Sequence, residues 1–195
     1  KDMNHAPLTL PIFPLPVFLL PDGITRLRIF EPRYLKMVKI ATQGEGFVIW
    51  LNLQDTDKPM IKWGSWVEVV NFDQGKDGVL EIDVKCKALV KIQSIEKDLD
   101  NLHFGVVRET AHWSQNSDEY SVSELGKSLE EVFVNDKMLN ELYANKYSQN
   151  TNWVVARWLE ILPVKVDIKS DFVVVHNYEE AKTFVQSIIS QNKKL

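Results

Sequence analysis

The residues of this chain that could carry chemistry are few and widely spaced. The four histidines stand at positions 5, 103, 112 and 176, and the single cysteine is Cys86. No serine lies in a Gly-x-Ser-x-Gly nucleophile elbow. Cys86 falls in an alternating strand pattern, which favours a structural role, and a cysteine nucleophile would need an activating base nearby. The sequence therefore predicts no catalytic residue; the alternative is a hydrolase built around His103 or His112 beside an acidic residue.

Metal and nucleotide sites also lack their characteristic spacing. No group of histidine, cysteine and carboxylate residues has the spacing of metal ligands. The tripeptide Gly126-Lys127-Ser128 resembles part of a phosphate-binding loop, but Ser121 stands where that loop requires glycine. The tripeptide also follows the periodicity of an amphipathic helix. The sequence therefore predicts neither a metal nor a cofactor.

Tryptophan and arginine residues are the stronger candidates for binding. Trp63 and Trp66 bracket a turn-prone Gly-Ser dipeptide, and Trp113 precedes a polar stretch. Exposed aromatic residues bring large contact area at low entropic cost, although a place in the core is the alternative for each. Arg33 follows a proline at a strand-to-helix junction, where it contacts either a peptide or carboxylate ligand, or loop carbonyls and acidic groups of the fold itself. The predicted peptide-binding residues are Arg33, Trp63, Trp66 and Trp113.

The first half of the chain, which must position most of these candidates, has the pattern of strands. Its opening stretch LPIFPLPVFLLPDG, Leu10 to Gly23, is apolar but interrupted by prolines. Proline excludes a long helix and suits a sheet edge, so we predict that this stretch supplies strands and irregular edge chain to the barrel, covered by the core. Pro32 begins a helix whose apolar stripe is Tyr34, Met37, Val38 and Ala41. Five or six short strands with this one helix indicate a small closed barrel.

The periodicity changes to helical after Ser114. A polar stretch reads as a linker, and Ser121 with Glu124 has the spacing of a capping box, with Tyr120 and Leu125 as its hydrophobic staple. Further helices are predicted over residues 152–162 and from residue 177 onward. The predicted fold class is α+β, with a β-barrel subdomain over residues 8–113, a linker over 114–121 and a helical subdomain over 122–192.

Composition and charge limit the classes of partner. The 195 residues are 45% hydrophobic and 26% charged, with a net charge of −4. Neither half of the chain has the basic excess that nucleic-acid binding requires. A single cysteine allows no internal disulfide and fits a reducing cytoplasm. The apolar opening stretch is broken by prolines and too short to span a bilayer, so we expect no membrane association.

One long stretch resembles a known family. LPIFPLPVFLLPDGITRLRIFEPRYLKMV, Leu10 to Val38, is similar to the opening of the N-terminal domain of Lon, the ATP-dependent protease, and IFEPRY is its most specific part. ARWLEILPV, Ala156 to Val164, resembles a Leu-x-Glu-x-Leu-Pro segment of the same family. The resemblance covers about residues 8–189. It breaks at residues 86–92, where the family's Gly-x-x-Arg-Phe-x-Ile pattern is absent, so the roles of those family residues are not carried over.

The resemblance implies a fold and a function. It implies a PUA-like pseudobarrel followed by a C-terminal helical bundle, in a region that helps Lon select substrate polypeptides. Stand-alone bacterial proteins of this size also resemble the N-terminal domain of Lon. The chain shows neither the ATPase loop nor the Ser-Lys peptidase domain of Lon, so we expect a non-catalytic, cytoplasmic protein. Its expected partners are unfolded or extended polypeptides or a protease component; the alternative is an RNA-binding PUA-like module.

Overall fold

The protein is described from a computed structural model, which covers residues 6–51, 62–114, 123–174 and 176–192. The chain divides into two compact units, Lys1–Thr110 and Ala111–Leu195. The sequence predicts that the barrel subdomain ends at residue 113, whereas the first unit ends at Thr110. Trp113 therefore belongs to the second unit. Ser121 of the predicted capping box, Tyr120 of the predicted staple and most of the predicted linker lie outside the described residues.

Six strands and one helix make up the described part of the first unit. They are β1 (Leu8–Pro14), β2 (Ile24–Ile29), α1 (Pro32–Gln43), β3 (Phe47–Trp50), β4 (Trp63–Gln74), β5 (Leu80–Lys97) and β6 (His103–Thr110). The strand order is β2-β5-β4-β3-β1-β6, and β5 also pairs with β6. That last pairing closes β1, β3, β4, β5 and β6 into a ring, while β2 lies outside it.

The length of β5 makes this closure possible. Its 18 residues pair with β2 over Leu80–Lys85, with β4 over Leu80–Lys91 and with β6 over Leu89–Lys97. The ladder between β5 and β6 is irregular between Ile92 and Ser94, where one residue is inserted as a bulge. A bulge bends its strand and increases the local twist. The bent strand can therefore pair with β2 and β4 at one end and with β6 at the other.

The proline-rich opening stretch contributes a strand, but this strand lies inside the sheet, between β3 and β6, and not at the predicted edge. Residues 8–12 of β1 pair with β6, and residues 12–14 pair in parallel with β3. Because the two ladders overlap only at Ile12, most positions of β1 have a partner strand on one side. Pro11 and Pro14 fit such a strand, since a missing N–H costs a ladder bond only where a partner faces it.

Alternate residues of the ring strands form its apolar core. These buried residues are Leu10, Ile12, Val48, Trp50, Val90, Ile92 and Val107. The spacing of two within each strand follows from the pleat, which directs successive side chains to opposite faces. The predicted stripe of α1 is also confirmed, because Tyr34, Met37, Val38 and Ala41 are all buried.

Helices make up the regular structure described in the second unit. They are α2 (Ser123–Asn135), α3 (Lys137–Leu142), α4 (Thr151–Ile161), α5 (Val166–Ser170) and α6 (Tyr178–Asn192). The sequence pattern predicts α2, α4 and α6. It does not predict α3 and α5, which are short and therefore show too little periodicity. None of the helices in the described residues is long and apolar enough to cross a bilayer.

The Gly126-Lys127-Ser128 tripeptide lies inside α2, as its periodicity predicts. A Cβ atom added to Gly126 would stand 2.3 Å from the carbonyl oxygen of Ser148. Such a distance is far shorter than van der Waals contact, so the position requires glycine for close packing of backbone on backbone. The glycine at position 126 is therefore explained by helix packing and not by phosphate binding.

Candidate functional site

Two of the predicted peptide-binding residues, Trp63 and Trp66, are half-buried near the start of β4. The ring of Trp63 packs edge-on against Phe18, with 5.9 Å between ring centroids. Trp66 donates a hydrogen bond from Nε1 to the carbonyl oxygen of Glu45 at 2.6 Å, and the Lys87 ammonium lies 4.0 Å from its ring centroid. Both rings are therefore held by contacts within the fold, and each keeps a partly exposed surface.

Arg33 is placed at the start of α1, where its guanidinium contacts the fold itself. It donates to Glu31 at 3.2 Å and to the carbonyl oxygen of Asn101 at 3.4 Å. The guanidinium carbon also lies 4.7 Å from the ring centroid of Tyr34. These contacts match the structural alternative for Arg33, in which it binds a loop carbonyl and an acidic group.

Trp113 is buried, with 6% of its surface exposed. Its Nε1 donates to the carbonyl oxygen of Phe172 at 2.8 Å, and its ring stacks on His112 with 4.4 Å between centroids. All of these partners belong to the second unit. The burial leaves Trp113 too little exposed surface to serve as a peptide-contacting residue.

Burial, with smaller effects from nearby cations, determines the protonation of the two histidines considered for catalysis. Burial lowers the pKa of His112 to about 4; a hydrogen bond with the carbonyl oxygen of Val173 opposes this, and Arg157 lowers it further. Burial also lowers the pKa of His103, with Lys97 and Arg33 as smaller causes. A general base in a hydrolase is oriented by a carboxylate, and none is among the groups that act on these pKa values. Glu96 lines the same cavity as His103 but is not among the groups that act on its pKa. The hydrolase alternative therefore has a carboxylate in the same cavity, but no electrostatic coupling of that carboxylate to the histidine.

Other chemical groups in the described residues also have structural surroundings. Cys86 is fully buried in β5, and its Sγ lies 3.3 Å from the carbonyl oxygen of Ala88. Full burial within a strand fits a structural role for this thiol. Within the parts of the chain that the structure describes, no three histidine, cysteine or acidic residues are grouped to hold a metal ion.

A cavity of about 640 Å³ opens at one end of the strand ring in the first unit. Apolar side chains of the ring core and its border line its inner part: Trp50, Ile92 and Ile95. Polar residues line the remainder: Lys62, Gln93, Ser94, Glu96, Lys97 and His103. This volume is within the range of small-ligand sites in proteins, which are mostly apolar with a few polar groups.

The cavity exists because two neighbouring strands end at different levels. Strand β4 begins at Trp63, opposite Lys91, and the carbonyl oxygen of Lys62 accepts one more bond from the N–H of Ile92 at 2.8 Å. Strand β5 continues to Lys97 and pairs there with β6 alone. Among the described residues, no strand pairs with the other edge of β5 from residue 93 to residue 97. Alternate N–H and C=O groups of this edge are directed towards the cavity side.

His103 contributes a polar atom without a hydrogen-bond partner. Its Nδ1 is buried and accepts or donates no hydrogen bond within the described residues. Burial is also the main cause of the lowered pKa, so the neutral ring is favoured at pH 7. A buried ring nitrogen without a partner is costly, and it is commonly satisfied by water or a ligand. His103 therefore marks the cavity as a place where a polar group can bind.

The sequence reasoning does not predict this cavity, but one signal for it is present. Apolar residues of β5 are spaced by two at Val90 and Ile92, and then by three at Ile95. A change from spacing two to spacing three marks an inserted residue, which is the bulge beside the cavity. The remaining lining residues come from β3, β6 and the residue before β4, and only the ring closure brings them together.

The fold and the site define a class: a mixed sheet-and-helix domain with a ligand-sized cavity at the end of a strand ring. The family model described as the ATP-dependent protease La (LON) substrate-binding domain matches residues 9–193. The chain belongs to this family, which confirms the resemblance seen in the sequence.

Solved structures agree with this assignment. The Lon N-terminal domain protein from Xanthomonas campestris is similar with a TM-score of 0.69 and 24% identity, over 92% of this chain and 98% of that one. The N-terminal domain of Lon protease from Mycobacterium avium complex is similar with a TM-score of 0.64 and 11% identity, over 91% and 96%. At these identities the likeness shows a shared fold. A search of curated protein sequences finds no match.

Proposed function

We propose that this protein is a non-catalytic binder of unfolded or extended polypeptides that serves proteolysis as an adaptor, acting in the cytoplasm. The family supports polypeptide binding in general terms. The observation that carries the finer proposal is the cavity beside residues 93–97 of β5, whose outer edge is paired with no strand of the described ranges. The proposal includes a pseudobarrel related to PUA domains, which the closed ring supports, and a C-terminal helical bundle, which the helices of the second unit support.

An edge and an adjoining apolar cavity together suit an extended chain. The edge offers N–H and C=O groups that any polypeptide backbone can bind, so it does not depend on sequence. The cavity accepts apolar side chains on Trp50, Ile92 and Ile95. Unfolded polypeptides expose both features, whereas folded proteins hide most of them. The combination therefore distinguishes unfolded chains from folded ones.

A substitution in the cavity tests the proposal. Ile95 is partly buried and borders the core cluster, so Ile95→Gln places a polar amide in the apolar part of the cavity. We expect this change to weaken binding of a labelled, permanently unfolded polypeptide by about tenfold, because roughly 1–2 kcal/mol of apolar burial is lost. Fluorescence anisotropy measures the dissociation constant.

The matched control is Val134→Gln, which makes a similar change on α2 in the second unit, where Val134 is 83% exposed. We expect its dissociation constant to equal that of the wild type. Thermal melts of both variants establish that they are folded. If the wild type shows no binding up to about 100 μM, its binding free energy is less favourable than about −5.5 kcal/mol. That result would rule out the general polypeptide binder.

A further inference from the structure

We propose that the cavity selects the C-terminus of a polypeptide, binding its free carboxylate near Lys62 and an apolar side chain next to it. This inference rests on the proposed function, because it names the class of polypeptide that the same cavity prefers. Three observations on the first unit support it: where the unpaired edge of β5 is blocked, which charges line the cavity, and how large its apolar part is.

The edge of β5 over residues 93–97, with which no strand in the described part of the chain pairs, is blocked at one end. From Ile92 backwards the edge is occupied, first by the carbonyl oxygen of Lys62 and then by β4. A peptide that adds to residues 93–97 antiparallel to β5 runs in the same direction as β4. Its carboxyl end therefore faces Lys62, and the peptide must end there or turn away. An ending chain fits this place without a turn.

The charges of the cavity favour an anion at that end. Among the residues that the structure describes, its lining includes Lys62, Lys97 and one carboxylate, that of Glu96. Lys62 stands beside the blocked end, whereas Lys97 pairs with His103 at the opposite end of the edge. A peptide carboxylate next to the Lys62 ammonium would form a charge-assisted hydrogen bond, which is stronger than a neutral one.

The apolar part of the cavity accommodates the side chain next to this carboxylate. Trp50 and Ile92 lie at the blocked end, since Ile92 pairs with Lys62 and Trp50 ends β3. A total volume of about 640 Å³ accepts the last one or two side chains of a chain and not a folded surface. The partner is therefore a polypeptide whose last residue is apolar and whose carboxylate is free.

Peptides that differ only at their ends test this inference. A short labelled peptide ending in leucine is prepared as the free acid and as the C-terminal amide. A third peptide is amidated and carries one internal glutamate. We expect the free acid to bind at least about tenfold more tightly than either amidated peptide, because only it brings the charge to Lys62. Fluorescence anisotropy with the full chain gives all three dissociation constants.

Lys62→Gln locates the effect. The substitution keeps the carbonyl bond to Ile92 and removes the charge, so the preference for the free acid should fall to about twofold or less, as expected for an uncharged contact. Lys137→Gln is the matched control, since the Lys137 side chain is 90% exposed on α3. It should leave the preference unchanged.

Each outcome has one meaning. Equal binding of free acid and amide overturns the C-terminal preference but leaves polypeptide binding intact. Equal binding of the free acid and the peptide with an internal glutamate shows that any carboxylate suffices, which also overturns it. An unchanged preference in Lys62→Gln overturns the assignment to Lys62. Binding of neither the peptides nor an unfolded protein overturns the proposed function itself.

Discussion

At the scale of single residues, His112 gives a prediction about pH. Burial lowers its pKa to about 4, against the ordinary value of 6.5. Below pH 6.5 the unfolded chain therefore binds more protons at this residue than the folded protein. The contribution of neutral His112 to the free energy of unfolding is therefore fully present above pH 6.5, and it is lost as the pH falls towards 4. We expect the free energy of unfolding to decrease by about 2 kcal/mol between pH 7 and pH 5 because of this residue.

Urea unfolding followed by tryptophan fluorescence measures this decrease. His112→Asn cannot titrate but keeps an N–H donor for the carbonyl oxygen of Val173, so it should lose about 2 kcal/mol less stability than the wild type over the same range. His176→Asn is the control, because His176 is exposed. If the wild type and His112→Asn lose the same stability between pH 7 and pH 5, His112 has the same pKa in the folded and unfolded states. That result would contradict the prediction.

At the scale of elements, one carboxylate connects three strands. Asp83 on β5 accepts hydrogen bonds from Arg26 Nε on β2 at 2.8 Å and from Asn71 Nδ2 on β4 at 3.3 Å. Asp83 is buried, and its bond to Arg26 is bidentate. We expect Asp83→Ala to lower the free energy of unfolding by about 3 kcal/mol, because it leaves a partly buried guanidinium without its carboxylate. Urea unfolding measures the change.

An exposed ion pair between β2 and the turn that joins β4 to β5 provides the control. Arg28 on β2 binds Asp77, and half of each side chain is exposed. Solvent and salt weaken such a pair, so Asp77→Ala should cost less than about 1 kcal/mol. If Asp83→Ala costs no more than Asp77→Ala, burial adds nothing to the Asp83 cluster, and the ladder hydrogen bonds alone hold β2 on the sheet.

The elements also show what a sequence can and cannot predict. The stripe of α1 and the helical place of Gly126 follow from local periodicity, and both are as predicted. The inner position of β1 is not local, because it depends on partners from β3 and β6 that are distant in sequence. Proline disfavours such a position, and only the stagger of the two ladders removes the conflict.

At the scale of the whole molecule, the candidate site shows the same limit. Its lining comes from β3, β5, β6 and the residue before β4, so no motif of adjacent residues could reveal it. The residues predicted from the sequence are tryptophans and an arginine, which are common in binding sites. Of these, Trp113 is buried, and Arg33 contacts its own fold. The family could be predicted because IFEPRY is contiguous, whereas the cavity arises only when the ring closes.

The charge of the whole molecule separates polypeptide binding from its RNA-binding alternative. The net charge is −4, and the cavity offers two lysines. One ion pair between a peptide carboxylate and Lys62 should weaken binding by about fourfold or less when salt rises from about 50 to about 200 mM. RNA binding relies on many phosphate contacts and would weaken by about a thousandfold over the same range. Anisotropy titrations of a labelled unfolded polypeptide and a single-stranded RNA at both salt concentrations distinguish the two. We expect tight, nearly salt-independent binding of the polypeptide; tight RNA binding with a steep salt dependence would instead favour the RNA-binding module.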